Sequence, residues 1–168
     1  MARKVIGGEQ VIPKKDNERK QMLDSLKNLS KPVKKVTLFK TKLPKLTQAE
    51  TEYVSCVEAL TNSANAVNIS IRQVCSFFAV QYRNFYKSEC LDYNYFNANK
   101  VFLNVKSELG FNSNYELLEF IALSFIRFEN VKNTLNLTDK RLHVSTYRQA
   151  WILNELNGTP SQKFAGFY

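Results

Sequence analysis

The run LLEFIALSFIRF at residues 117–128 constrains this chain more than any other stretch. Apolar side chains there occupy nearly every direction around a helix, so a helix formed by it must be enclosed on nearly every side. Ser113 and Glu116 stand three apart just ahead of it, in the pattern of a capping box that starts a helix. The spacing predicts Leu117, Leu118, Ile121, Phe125 and Phe128 inward, with Phe120 and Leu123 on the flanks. Other helices must then supply the enclosure. Five glycines and four prolines in 168 residues leave few turns for a many-stranded sheet, which points the same way. We therefore expect an all-α fold, a compact helical bundle over residues 46–158 preceded by a basic N-terminal arm and followed by an aromatic tail at 159–168.

The remaining helices follow from the same periodicity. Thr47 and Glu50 form a capping box ahead of a helix with Tyr53, Val57, Leu60 and Ala64 inward, running to about residue 66. Residues 94–110 put Ala98, Phe102, Val105 and Leu109 on one face and stop at Gly110. A last helix is expected over residues 139–156, capped by Thr138 or Asp139, with Val144, Tyr147, Trp151 and Leu142 inward. Near the N-terminus, residues 16–29 can form a helix whose stripe, Met22, Leu23, Leu26 and Leu29, needs a partner: the domain, a second copy, or a larger assembly. The tail carries Phe164, Phe167 and Tyr168, a clasp on the domain or an anchor for a partner.

Charge is unevenly distributed. Residues 1–45 hold 13 Lys or Arg against 4 Asp or Glu, a net +9, whereas residues 46–168 hold 11 of each. A polyanion is the natural partner of the N-terminal quarter, and nucleic acid is the commonest one. Its candidate phosphate contacts are Arg3, Lys4, Lys14, Lys15, Lys34, Lys35, Lys40, Lys42 and Lys45. Gly7 and Gly8 lack the spacing and the Lys-Ser/Thr ending of a phosphate loop.

Residues 69–88, ISIRQVCSFFAVQYRNFYKS, read as two short helices, about 70–78 and 81–87, meeting at Ala79 and Val80. Ile71, Val74, Cys75, Phe78 and Phe85 would point inward. This stretch resembles the helix-turn-helix of DNA-binding proteins, with Ala79 where glycine is usual and Ser88 where an apolar residue is usual. The resemblance implies that the second helix enters the major groove, with Gln81, Tyr82, Arg83, Asn84 and Lys87 facing bases and phosphates. The preceding LTQAETEYV is similar to the helix ahead of that motif in phage small terminase subunits.

No catalytic constellation emerges. His143 is the single histidine, with no acid partner evident on its own helix, and Cys56, Cys75 and Cys90 lack paired metal-ligand spacing. We expect no enzyme activity, no cofactor and no metal. No apolar run is long enough to span a bilayer, and no secretory signal is evident. The expectation is a non-enzymatic nucleic-acid-binding protein, with DNA favoured over RNA. It would be a regulator or accessory factor of a phage or mobile element, in the host cytoplasm or the virion, and able to form a homo-oligomer or join a larger assembly. The alternatives are a structural or adaptor component of a virion or ribonucleoprotein, a small terminase subunit, and a host-factor-binding protein.

Overall fold

The computed structural model describes residues 14–29, 46–62, 68–137 and 140–158. They form six α-helices: α1 (Lys14–Leu29), α2 (Gln48–Thr61), α3 (Ile71–Tyr86), α4 (Tyr95–Glu108), α5 (Asn114–Val131) and α6 (Ala150–Leu156). A 3-10 helix, Val144–Arg148, precedes α6. No strand occurs among the described residues, so the all-α expectation holds.

The central position of α5 follows from its composition. Leu117, Leu118, Phe120, Ile121, Ala122, Leu123, Ser124, Phe125 and Phe128 are all buried, and α1, α3, α4 and α6 pack around the helix. Burying one Leu or Phe contributes about 1.5–3 kcal/mol relative to exposure, so this single helix holds much of the driving force. Its start is half a capping box: Ser113 Oγ accepts the Glu116 N–H at 3.1 Å, while the Glu116 carboxylate accepts from Asn112 N at 2.7 Å.

The α2 capping box is complete. Thr47 Oγ1 accepts the Glu50 N–H at 3.3 Å, and Glu50 Oε2 accepts the Thr47 N–H at 2.8 Å. The helix buries Cys56, Ala59 and Leu60 and half-buries Tyr53 and Val57. It ends at Thr61 with Asn62 as C-cap, and Ala64 lies outside the described residues. Asn94 caps α4 through its side-chain oxygen, accepting from Phe96 N at 2.9 Å. Ala98, Val101, Phe102 and Val105 are the buried residues of α4. Gly110, at φ +69°, takes the left-handed conformation after it, as expected.

Two expectations need correction. The first concerns the stretch 69–88, in which Ile71–Tyr86 form one uninterrupted helix and not two helices with a turn. Ala79 is half-buried and Val80 buried inside that helix. The physical reason is that the apolar stripe passes straight through the proposed turn, from Val74 to Phe78 to Tyr82, and Ala is the strongest helix former. Phe85, expected inward, is 36% exposed.

The second is the C-terminal helix, which is split. Gln149 adopts an extended backbone, φ −92° and ψ 102°, between the 3-10 helix and α6. Leu142, Val144 and Tyr147 are buried as expected, but at a spacing set by the extended and 3-10 segments. Trp151 is only half-buried, while Ile152, Leu153 and Leu156 take the core positions.

The N-terminal helix takes the first of its three expected partners, the domain. The stripe of α1 finds its partner within the chain, because Met22 and Leu26 are buried against the body and α1 packs on α5 and α2. Leu23 is half-buried beside them.

Candidate nucleic-acid interface

The helix expected to read bases is mostly turned toward its neighbours. The Gln81 side chain is 5% exposed and its Oε1 accepts the Tyr53 hydroxyl at 2.8 Å. Asn84 also hydrogen-bonds that hydroxyl, whose acidity burial suppresses. Tyr82 is 1% exposed, its ring 4.7 Å from that of Tyr86 and 5.6 Å from His143. Both Gln81 and Tyr82 are therefore corrected from groove-facing residues to core residues. Arg83 is exposed but paired with Glu50 at 3.3 Å and with Glu89 at 3.6 Å. Of the five candidates only Lys87 combines an exposed side chain with no carboxylate partner among the described residues; it closes α3 in the left-handed conformation, φ 55°.

Arginine elsewhere in the body is similarly engaged. Arg72 pairs with Glu52 at 3.1 Å, and Arg127 with Glu18 at 2.8 Å. Arg141 donates to Ser88 Oγ and lies over the Tyr86 ring, 5.6 Å from its centroid. Arg148 donates to Asn97 Oδ1. Every arginine from residue 46 onward thus has a partner inside the fold, which agrees with the zero net charge of that region. The uncompensated charge belongs to the lysine-rich leader.

The fold also fixes where that leader is held. Arg127 Nε donates to Glu18 Oε2, and Arg19 pairs with Glu119 at 2.7 Å, so α1 is fastened to α5 at two points. At its C-terminal end Asn28 shares a groove of about 350 Å³ with Asn84, Lys87 and Ile126. Glu50, near the start of α2, pairs with Arg83, so the end of α1 and the start of α2 both adjoin the C-terminal half of α3. Residues 30–45, which join these two helices in the chain, hold six lysines and no acid. Arg3, Lys4, Lys34, Lys35, Lys40, Lys42 and Lys45 lie outside the described residues, and Lys14 and Lys15 open α1.

One grouping escaped the sequence reading. His143, left there without an acid partner, has its Nδ1 3.5 Å from Asp92 Oδ1 and 3.7 Å from Cys90 Sγ. The Cys90 thiol donates to Asp92 Oδ1 at 3.0 Å, and Asp92 also accepts Val144 N at 3.2 Å and Ser145 N at 2.8 Å. Burial opposes the Asp92 charge, but the hydrogen bonds from Cys90, Ser145 and Val144 outweigh it and hold the carboxyl below its usual range. Burial, then the Asp92 charge and hydrogen bond, push the Cys90 thiol up to about 12. Only the Cys-x-Asp spacing was visible beforehand; the histidine arrives from the far side of α4 and α5.

No protein-family model matches this sequence, and neither a curated protein nor a solved structure matches it significantly. Among the described residues no helix is long and apolar enough to cross a membrane.

Proposed function

We propose that this is a non-enzymatic nucleic-acid-binding protein, an accessory factor of a phage or mobile element, with DNA favoured over RNA. The single observation that carries this reading is the segregation of charge. The whole net +9 sits in residues 1–45, while the helical body engages its own arginines internally. Lysines present point charges that suit phosphates, whereas base reading favours Arg, Asn and Gln in a rigid frame. With Gln81 and Tyr82 in the core, affinity in this reading comes from the leader and is largely indifferent to sequence. Lys87 adds to it from the end of α3.

A salt titration of binding to duplex DNA and to RNA of equal length tests the proposal. The wild-type protein should bind with a steep salt dependence. Replacing Lys31, Lys34, Lys35, Lys40, Lys42 and Lys45 with Gln should flatten the slope of log K against log salt by about 0.9 for each lysine that stood on a duplex phosphate. Failure to bind either polymer at low ionic strength overturns it.

A second reading, a structural or adaptor component of a larger assembly, has one observation in its favour. Leu91 in the α3–α4 connection is 95% exposed and Phe96 in the first turn of α4 is 80% exposed, apolar surface of the kind that partners cover.

A further inference from the structure

We infer that Cys90, Asp92 and His143 form a binding site for a zinc ion, with solvent from the adjoining cleft as the fourth ligand. The three donor atoms lie within 4.8 Å of one another, and come from the α3–α4 connection and from the segment leading into the 3-10 helix. Zinc bonds of about 2.3 Å to sulfur and about 2.0–2.2 Å to nitrogen and oxygen, in a tetrahedron, place ligand atoms about 3.3–3.6 Å apart. The nitrogen–oxygen and sulfur–nitrogen separations, 3.5 and 3.7 Å, are close to that range. The sulfur–oxygen pair, at 3.0 Å a hydrogen bond, needs to open by about half an ångström when the thiol proton leaves.

The surroundings suit the ion in two further ways. Asp92 is oriented independently of it, because the Val144 and Ser145 amides hold both carboxylate oxygens and each oxygen keeps a lone pair for a metal. Such outer hydrogen bonds are what fix metal-binding carboxylates and raise affinity. A cleft of about 490 Å³ lined by Ser88, Glu89, Leu91, Lys140, Arg141 and His143 adjoins the group on the histidine side. A thiolate, a carboxylate and a neutral imidazole sum to two negative charges, so the occupied site is electrically neutral beside Arg141. On binding, the Cys90 proton leaves to solvent and a sulfur–zinc bond replaces the S–H donated to Asp92. The mixed sulfur, nitrogen and oxygen set selects zinc over calcium or magnesium, which take oxygen alone. The ion would tie the α3–α4 connection to the C-terminal segment where α4 and α5 separate them in sequence.

The test is a cobalt titration of the full chain stripped by chelator, followed by zinc displacement. Wild type should develop the thiolate-to-cobalt charge-transfer band and tetrahedral visible bands with one equivalent, and zinc should bleach them. Cys90→Ser, checked as helical by circular dichroism, should lose the charge-transfer band. His143→Gln, whose side chain is partly exposed, should weaken cobalt binding at least tenfold. Absence of the band in wild type, or its persistence at unchanged affinity in Cys90→Ser, overturns the assignment. If Cys90→Ser does not fold, His143→Gln decides alone: unchanged affinity overturns the site, and tenfold loss supports it.

Discussion

Arg127 on α5 donates through Nε to Glu18 on α1 at 2.8 Å and through a terminal nitrogen to the Leu156 carbonyl at 2.8 Å. One guanidinium thereby fastens the N-terminal helix and the end of α6 to the central helix. Its side chain is only 12% exposed and that of Glu18 28%, so the pair is partly shielded from water and its loss leaves polar groups short of partners.

We expect Arg127→Met to destabilise the fold by about 2–3 kcal/mol and Glu18→Gln by about 1 kcal/mol. The double variant should cost less than the sum, because the two residues share the interaction. Chemical denaturation measures the energies. Hydrogen exchange should show the amides of α1 opening faster in both variants, and unchanged α1 exchange would contradict the fastening role.

Gln81 distinguishes a core residue from a base reader. In Gln81→Ala the Tyr53 hydroxyl loses its acceptor at a half-buried site, which costs about 1–2 kcal/mol. Affinity and sequence preference for nucleic acid should not change. A shift in base preference with stability intact would return the side chain to the groove-facing role that the helix-turn-helix resemblance implied.

The α2 cap should respond to acid. The Thr47 amide and hydroxyl hydrogen bonds hold the Glu50 carboxyl below its usual range, with a smaller contribution from Arg83. A lowered folded-state value means that the charged form supports the helix start above the ordinary glutamate range, about 4.3. That support is lost as the pH falls through the lower folded value. Nuclear magnetic resonance should find Glu50 titrating below the ordinary glutamate range. Protection of the Thr47, Glu50 and Thr51 amides, taken relative to the unstructured chain at the same pH, should fall at low pH in wild type and stay level in Glu50→Gln.

Elements whose signal is local were legible in the sequence. The enclosure of α5 followed from apolar residues on all sides of 117–128, and Thr47 with Glu50 announced the start of α2 within four residues. The continuity of α3 was legible too: Ile71, Val74, Phe78, Tyr82 and Phe85 keep one helical period across Ala79. It was missed because a motif with a turn was laid over that period. The arrangements that depend on distant chain segments left no such trace. Glu18 and Arg127 are 109 residues apart, and Asp92 meets His143 only because the α3–α4 connection packs on the segment before the 3-10 helix. Single charged or titratable residues carry no periodicity, so topology alone reveals their partners.

Phe78 is the point at which this topology is most exposed to a single substitution. Its ring lies 5.4 Å from that of Phe102 on α4, 5.5 Å from Phe125 on α5 and 6.0 Å from Tyr147 on the 3-10 helix, measured between centroids. Fully buried, it joins α3 to the next three elements of the chain. Phe78→Ala removes the contact at the centre and leaves a cavity among rigid rings that cannot collapse readily. We expect a loss of about 3–5 kcal/mol, comparable with the whole stability of many domains, and a marked fall in thermal midpoint. Phe78→Leu, which retains most of the volume, should cost less than half as much. A loss under 1 kcal/mol for the alanine variant would show that α4 and the 3-10 helix are held to α3 by something other than this aromatic cluster.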